Sequence, residues 1–408
     1  MSSTRARDRG HCTVRAAATG PVLAAALLGL ALTCPAAAAD APGMLVWFGS
    51  YTGAPPKAEG ISVSRFDPAT GRLSPPVLAA PLKNPSFLAL HPRLPVLYAV
   101  SEVEDADGQR SGSVVALAID RATGLLTKLN HQVSGRSTPC HVSVDPAGRV
   151  ALAANYGGGS TVCLGLDADG RLRPMVPGTP GGHLQHEGKS INPERQTAPH
   201  GHSIDPSADG RFAISCDLGI DKVLVHALDP AAGTLAFHTA AAVKPGAGPR
   251  HFAMHPLGKH GYCINELDLT VTAFTWDGAA GKLTEFQTLS TIPESVTDRT
   301  GFSTAEIAVH PSGRFLYGSN RGHDSIAIYA IAPETGRLTF RGVEPIRGRT
   351  PRNFAIAPGG RWLLAAGQDS HTVSVFAIDG DTGALTPTGE PVPVPAPVCV
   401  RFDHPPAP

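Results

Sequence analysis

The sequence predicts an all-β fold: a seven-bladed β-propeller of four-stranded antiparallel blades, closed into a ring by pairing the N- and C-terminal strands in one blade. Three observations carry this expectation. A phrase that usually ends in Asp-Pro or His-Pro occurs seven times: NPSFLALHP from Asn84, TPCHVSVDP from Thr138, APHGHSIDP from Ala198, GPRHFAMHP from Gly248, STAEIAVHP from Ser303, TPRNFAIAP from Thr350 and APVCVRFDH from Ala396. A second phrase alternates with it, also seven times, as in ISVSRFDPATGRLSP from Ile61 and DSIAIYAIAPETGRLTF from Asp324. Their interval of roughly 45 to 60 residues is the length of one four-stranded blade. The series is also offset: it opens on the second phrase and closes on the first, at Phe402. Such an offset builds one blade from both termini and leaves no open sheet edge.

Each element follows from the phrases. The first phrase supplies the opening strand of a blade, and turns such as Gly148-Arg149 and Gly313-Arg314 reverse it into the second strand. The second phrase supplies the third strand, and its Asp-Pro-x-x-Gly turn reverses that into the fourth. Antiparallel order then puts two sets of connections on one face, those between blades and those joining the second strand to the third. The repeated Gly turns lie on the other face and are alike in most blades, as structural turns should be. Irregular loops mark the first face as the place for a site.

The chain has 408 residues, long for one domain but within the range of a closed β architecture. The expected organisation is a cleaved signal peptide over 1–39 and a single propeller domain over 40–408, with its ordered core at about 44–402. Arg5, Arg7, Arg9 and Arg15 precede an apolar run from Pro21 to Leu32, and Ala37-Ala38-Ala39-Asp40 offers an A-x-A cleavage site. The run is short of the roughly 20 residues a membrane span needs. Export to the periplasm or the medium, without a membrane anchor, is the expectation.

Basic and acidic side chains balance at 34 each, and no basic run interrupts the mature sequence, so nothing points to nucleic acid or an anionic membrane as a partner. A monomer acting on a small molecule is expected. Cys140, Cys163, Cys216, Cys263 and Cys399 lie scattered in apolar strand patterns, which suits buried free thiols better than a disulfide or zinc framework.

The candidate site emerges when the first phrases are aligned by their proline, with Thr304 replacing it once. The next residue is Ser86, Cys140, His200, Arg250, Ala305, Arg352 or Val398, a ring expected at the mouth of the central channel. Two places further stand Leu88, Val142, His202, Phe252, Ile307, Phe354 and Val400, so His202 takes a slot that is otherwise apolar, on the same side as His200. Loops on this face add Arg195, Gln196, Asn265, Glu266, Asn320, Arg321 and Gln368. Arginines with histidine make an anion-binding rim, since guanidinium groups grip carboxylate or phosphate through paired N–H donors. His141 and His251 are expected to face neighbouring blades, and His183, His186, His323 and His371 to lie in solvated loops. His200, His202 and Glu266 could hold a metal, but the arginines around them oppose a cation, so neither metal nor cofactor is expected.

The run Arg195-Gln196-x-x-Pro199-His200-x-His202, followed by Gly248-Pro249-Arg250-His251, Asn265-Glu266-Leu267 and Asn320-Arg321-Gly322, resembles the lactonase family of seven-bladed propellers. That family includes the propeller-type bacterial 6-phosphogluconolactonases and the fungal carboxymuconate lactonising enzymes. The resemblance covers essentially the whole mature chain and implies a lactone-handling site of His200 or His202, Arg250, Glu266 and Arg321. Arg195, Gln196, Asn265, Arg352 and Gln368 are the expected substrate-binding residues. Export favours an aldonolactone or another carboxylated lactone over a sugar phosphate. A lactonising cycloisomerase and a non-catalytic binding propeller are the alternatives.

Overall fold

The computed structural model describes residues 43–53, 57–175 and 182–403, so the expected signal peptide lies outside the described residues. Among these residues, 28 strands form seven four-stranded antiparallel sheets, six of them in sequence order from the innermost strand outward. The first blade is the composite one. Its innermost strand is Pro397–Phe402, paired to Met44–Ser50, which is followed by Gly60–Phe66 and Val77–Pro81. Blades 2 to 7 span 88–133, 139–185, 201–242, 249–290, 303–345 and 351–393. Their innermost strands touch one after another around the ring.

What fastens blade to blade is a repeated donor on each side of the Gly turns. Trp47 Nε1 donates to the Gly124 carbonyl of the next blade at 2.9 Å. The hydroxyls of Tyr98, Tyr262 and Tyr317 do the same to Gly170, Gly336 and Gly383 at 2.7, 2.9 and 2.9 Å. Trp362 Nε1 closes the circle from blade 7 to blade 1 at the Pro68 carbonyl, 2.9 Å away. The histidines of the His-Pro phrases form a second set. Nδ1 of His91, His255 and His310 accepts amide N–H groups of its own turn, so Nε2 carries the proton and donates to Gly148, Gly313 and Gly360 at 3.1, 2.9 and 2.8 Å. Gly383 and Gly336 take positive φ (76° and 66°), the conformation that turns their carbonyls toward these donors at no steric cost.

Apolar side chains fill the wedges between sheets. Phe66 meets Trp362 and Phe402 edge-on, at ring separations of 6.2 and 5.5 Å, which seals the composite blade to blade 7. All five described cysteines are free and buried.

The innermost strands are not regular. The ladder skips a residue between Pro139 and His141, Gly201 and Ser203, Pro249 and His251, and Pro351 and Asn353. These bulges turn Cys140, His202, Arg250 and Arg352 away from the sheet. In three of these four blades the residue ahead of the strand is left-handed: Thr138 at φ 51°, Gly248 at 68° and Thr350 at 58°.

The pairing corrects one sequence expectation. His202 does not fill the apolar slot; Ile204, paired with Ser215, stands where Val142 pairs with Ala153 and Phe252 with Cys263. In blade 4 the turn also closes two residues later, at Ser207 where blade 3 uses Asp145. The Pro199 alignment was therefore displaced by two, and His202, not His200, is the counterpart of Arg250.

Replacing Tyr317 by Phe keeps the packing and orphans the buried Gly383 carbonyl. The expected loss is about 1–2 kcal/mol of stability, read as a lower urea midpoint at unchanged m.

Candidate active site

One loop position recurs in the blades. The residue that follows the second strand donates its N–H to the residue ahead of the innermost strand: Tyr51 to Ala396, Glu102 to Asn84, Tyr156 to Thr138, Leu218 to His200, Glu266 to Gly248 and Gln368 to Thr350. Arg321 has the same place in blade 6, where it pairs with Ser303. These residues and the bulged residues share the pore mouth.

Glu266 is its centre. Though buried (4% exposed), it meets three guanidinium groups: Arg195 Nη2 at 2.8 Å from Oε1, Arg250 Nε at 2.9 Å from Oε2, and Arg321 Nη2 at 3.1 Å from Oε2. Burial alone would raise its pKa, but Arg321, Arg250 and Arg195 together bring it down to about 2, so the carboxylate is ionised. Arg321 is itself drawn down to about 10 by burial and by the neighbouring arginines, which still leaves it a cation at neutral pH. Its Nη2 also donates to the Thr304 carbonyl at 2.8 Å, while its buried Nε finds no acceptor among the described residues.

His202 is buried (4% exposed) beside this cluster, with Nε2 3.9 Å from Glu266 Oε2 and Nδ1 3.7 Å from Cys140 Sγ. Burial, then Arg250, His251 and Arg352, hold its pKa well below the usual 6.5, so the imidazole is neutral. Tyr156 stands between the two histidines. Its ring stacks on His200 at 4.5 Å and meets His202 edge-on at 5.4 Å, and its hydroxyl accepts from Arg195 Nη2 at 3.0 Å. His200 is half-buried at the rim. Its Nδ1 donates to the Tyr156 carbonyl at 2.9 Å, and Asp217 Oδ1 holds its backbone N–H at 2.8 Å.

Arg352 lies with its guanidinium carbon 5.3 Å above the Tyr51 ring, whose hydroxyl donates to Glu102 at 3.0 Å. Among the described residues the Arg352 guanidinium has no hydrogen-bond acceptor. Arg250, Arg352, Glu102, Cys140 and Ser86 line a narrow crevice of about 10 Å³, room for one small group. Beyond His251 and Phe87, which line both spaces, a cavity of about 320 Å³ opens between His141, Asp205, Glu306 and Arg401. The mouth thus gathers Arg195, Arg250, Arg321 and Arg352 against Glu266 and Glu102, a surplus of positive charge suited to an anion.

Two expected contacts are framework instead. Gln196 is fully enclosed, with Nε2 donating to the Leu218 carbonyl and Asp221 at 2.8 Å each, so it shapes the loop that carries Arg195. Asn265 is equally buried and ties its own turn through Thr270 and Thr272 at 2.8 and 2.9 Å. Gln368 is half-buried, with Nε2 donating to Asp369 Oδ1 at 3.1 Å. His186 is not solvated: it is buried, with Nδ1 2.6 Å from Asp217. Tyr156 and Glu102 are the residues that sequence reasoning missed. Carrying the Asn265-Glu266 alignment to all seven blades would have found both, since Tyr156 follows Asn155 in the same place. No group of three or more metal-ligating side chains is gathered among the described residues.

The family model for "Lactonase, 7-bladed beta-propeller" matches residues 45–402. The chain belongs to that lactonase family. It is 38% identical over 358 residues to a 6-phosphogluconolactonase of Bacillus subtilis, covering 88% of this chain and 98% of that one. A 6-phosphogluconolactonase of Formosa agariphila is 34% identical, with 76% and 85% covered. Among solved structures, the periplasmic gluconolactonase of Pseudomonas aeruginosa superposes with a TM-score of 0.80 at 32% identity, covering 88% of this chain and 99% of that one.

Removing the central charge of this lactonase-family site exposes its role. Glu266→Gln leaves three guanidinium groups facing one another, and a loss of about 3–5 kcal/mol is expected at pH 7. Because folding lowers the Glu266 pKa from 4.5 to about 2, its contribution is complete above pH 4.5 and fades as pH falls toward 2. The stability gap between wild type and variant in urea titrations should therefore narrow below pH 4.5, and added phosphate should narrow it at pH 7.

Proposed function

We propose that the chain hydrolyses an anionic or polyhydroxylated sugar lactone, opening the cyclic ester to its hydroxy acid. The observation that carries this reading is a neutral imidazole, His202, set beside a carboxylate that clamps three arginines at one pore mouth. The relatives named as 6-phosphogluconolactonases and the periplasmic gluconolactonase support the substrate class.

In the proposed reaction His202 takes a proton from water as the water oxygen attacks the lactone carbonyl carbon. The carbonyl electrons move to oxygen, and that oxyanion meets Arg250 and Arg321, whose donors are already in place. Collapse breaks the ring C–O bond, and the departing alkoxide takes the proton back from the imidazolium. The products are a hydroxyl and a carboxylic acid, which ionises at neutral pH and releases one proton to solvent. Glu266 stays ionised throughout, as the fixed counter-charge that steadies the arginines and the transient imidazolium. A carboxylate held near pKa 2 is a poor proton donor to carbon, which disfavours the cycloisomerase alternative in that form. Arg352 is assigned to the substrate's anionic or hydroxylated end, Arg195 and Tyr156 to the outer rim beside His200, and Gln368 to the same edge as Arg352.

The charge surplus also tunes the base. Arg250 and Arg352 are two of the causes that depress His202. A bound anion offsets both charges, so the imidazole becomes more basic when substrate is present. The acid limb of kcat/KM, which reports the free enzyme, should therefore fall well below pH 6.5, and the acid limb of kcat should lie at higher pH.

The deciding experiment is a pH-stat assay of 6-phosphogluconolactone and glucono-1,5-lactone side by side. Arg250→Ala should lower kcat by about a hundredfold or more. Arg352→Ala should raise KM and spare kcat. No rate above spontaneous opening on either lactone, or an Arg250→Ala variant with unchanged kcat, rejects the assignment.

Export is proposed as well, supported by the basic, apolar and A-x-A pattern ahead of Asp40 and by the similarity to the periplasmic gluconolactonase of Pseudomonas aeruginosa. Intact mass of the chain recovered from the periplasmic fraction of a bacterial host should begin at Asp40; a full-length mass confined to the cytoplasm rejects it.

A further inference from the structure

Arg250 is held from behind as well as from Glu266. Its Nη1 donates to the Ala305 carbonyl at 2.8 Å and reaches His251 Nε2 at 3.0 Å. Arginine has only donors, so His251 must accept at Nε2 and carry its proton on Nδ1. That proton faces Glu306 Oε1 at 2.9 Å. Glu306 is fixed in turn: Oε1 accepts the Ile307 N–H at 3.0 Å, Oε2 accepts from Asn353 Nδ2, and Asn353 Oδ1 accepts the Val400 N–H at 2.8 Å. The chain of contacts runs Glu266–Arg250–His251–Glu306–Asn353 and links blades 5, 6, 7 and 1. Arg250, His251 and Glu306 are all buried, at 2%, 4% and 8% exposure. Burial lowers the His251 pKa, which agrees with the neutral ring that the Arg250 contact requires; burial works to raise that of Glu306, but His251 and Arg401 bring it below the ordinary value.

A guanidinium this deeply buried needs compensation on both sides, because an uncompensated buried charge is strongly unfavourable. Glu266 supplies one carboxylate directly and Glu306 a second through the imidazole. With Nε and Nη1 both engaged, Nη2 is the nitrogen of Arg250 that has no protein acceptor among the described residues. Arg250 lines the narrow crevice together with Arg352 and Cys140.

We propose that His251 and Glu306 form a positioning dyad that orients Arg250, so that Nη2 is presented to the oxyanion of the lactone. It rests on the reading of Arg250 as the oxyanion's partner. Glu306 does not line the crevice that Arg250 faces; in this role it acts through His251 on Arg250, as a second carboxylate for the site.

The test is a double-mutant cycle on the full chain with the same two lactones. Glu306→Gln preserves size and an acceptor but removes the charge. It should lower kcat roughly ten- to a hundredfold through misplacement of one transition-state donor, with KM within about threefold. In an Arg250→Lys background, where no fork remains to be aimed, the same change should cost less than about twofold. An equal loss in both backgrounds, or wild-type kcat in Glu306→Gln alone, overturns the dyad while leaving the lactonase assignment intact. Wild-type kcat in Arg250→Lys alone overturns the dyad together with the assigned role of Arg250. A measurement on the unmutated protein stands apart from folding of any variant. Nitrogen-15 NMR of histidine-labelled chain should show His251 as the neutral Nδ1–H tautomer at pH 7, and an Nε2–H tautomer or an imidazolium overturns the proposal.

Discussion

A single ionised carboxylate buried among guanidinium groups is the constraint on which the site depends. Without Glu266, the arginines brought together by three different blades would repel one another out of the pore. With it, they are held within hydrogen-bonding distance of one point while the mouth as a whole remains positive. The ring makes this arrangement affordable: five of its seven blade junctions are fixed by Trp, Tyr or His donors at the turns of the far face. The near face can therefore carry charged, irregular loops.

The bulges translate that frame into chemistry. A regular innermost strand would alternate its side chains between the two neighbouring blades. Skipping one residue in the ladder turns one side chain per blade toward the axis, and in blades 3, 4, 5 and 7 that side chain is Cys140, His202, Arg250 or Arg352. The next residue then reaches across to the following blade. His251 on Glu306 and Asn353 on Val400 are both of this kind, which is why the supports of the site are also the stitches of the ring.

Much of this was legible in the sequence, because a repeat exposes its own exceptions. Seven copies of two phrases gave the blade count, and their offset gave the closure through Pro397–Phe402. Arg250, Glu266 and Arg321 stood out by their motifs and do converge. His202 converges too, but for a different reason than its sequence position suggested. Proline was a poor ruler in blade 4, where Gly201 rather than Pro199 takes the ladder position opposite the end of the second strand. A polar residue type on the correct face did not reveal its direction either: Gln196 and Asn265 turn inward to satisfy buried carbonyl, carboxylate and hydroxyl groups, a demand that only the packed loops make visible. Tyr156 escaped notice because an aromatic residue in a loop carries no charge signal, though the loop register singles it out.

The charge balance of the pore bears on more than binding. A histidine surrounded by arginines is a weak base while the pore is free, and that weakness is a property of the surroundings rather than of the ring. Burial depresses it most, and Arg250 and Arg352, which add to that, are the groups that in the proposed reaction engage a negatively charged or electron-rich substrate. In the proposed reaction binding and activation are thereby coupled, with Glu266 too acidic to compete for the proton and burial favouring a neutral His251. A substrate lacking an anionic or oxygen-rich end would leave Arg250 and Arg352 uncompensated and His202 a weak base. Such a pore can discriminate among lactones by charge as well as by shape, even where the ester chemistry is the same.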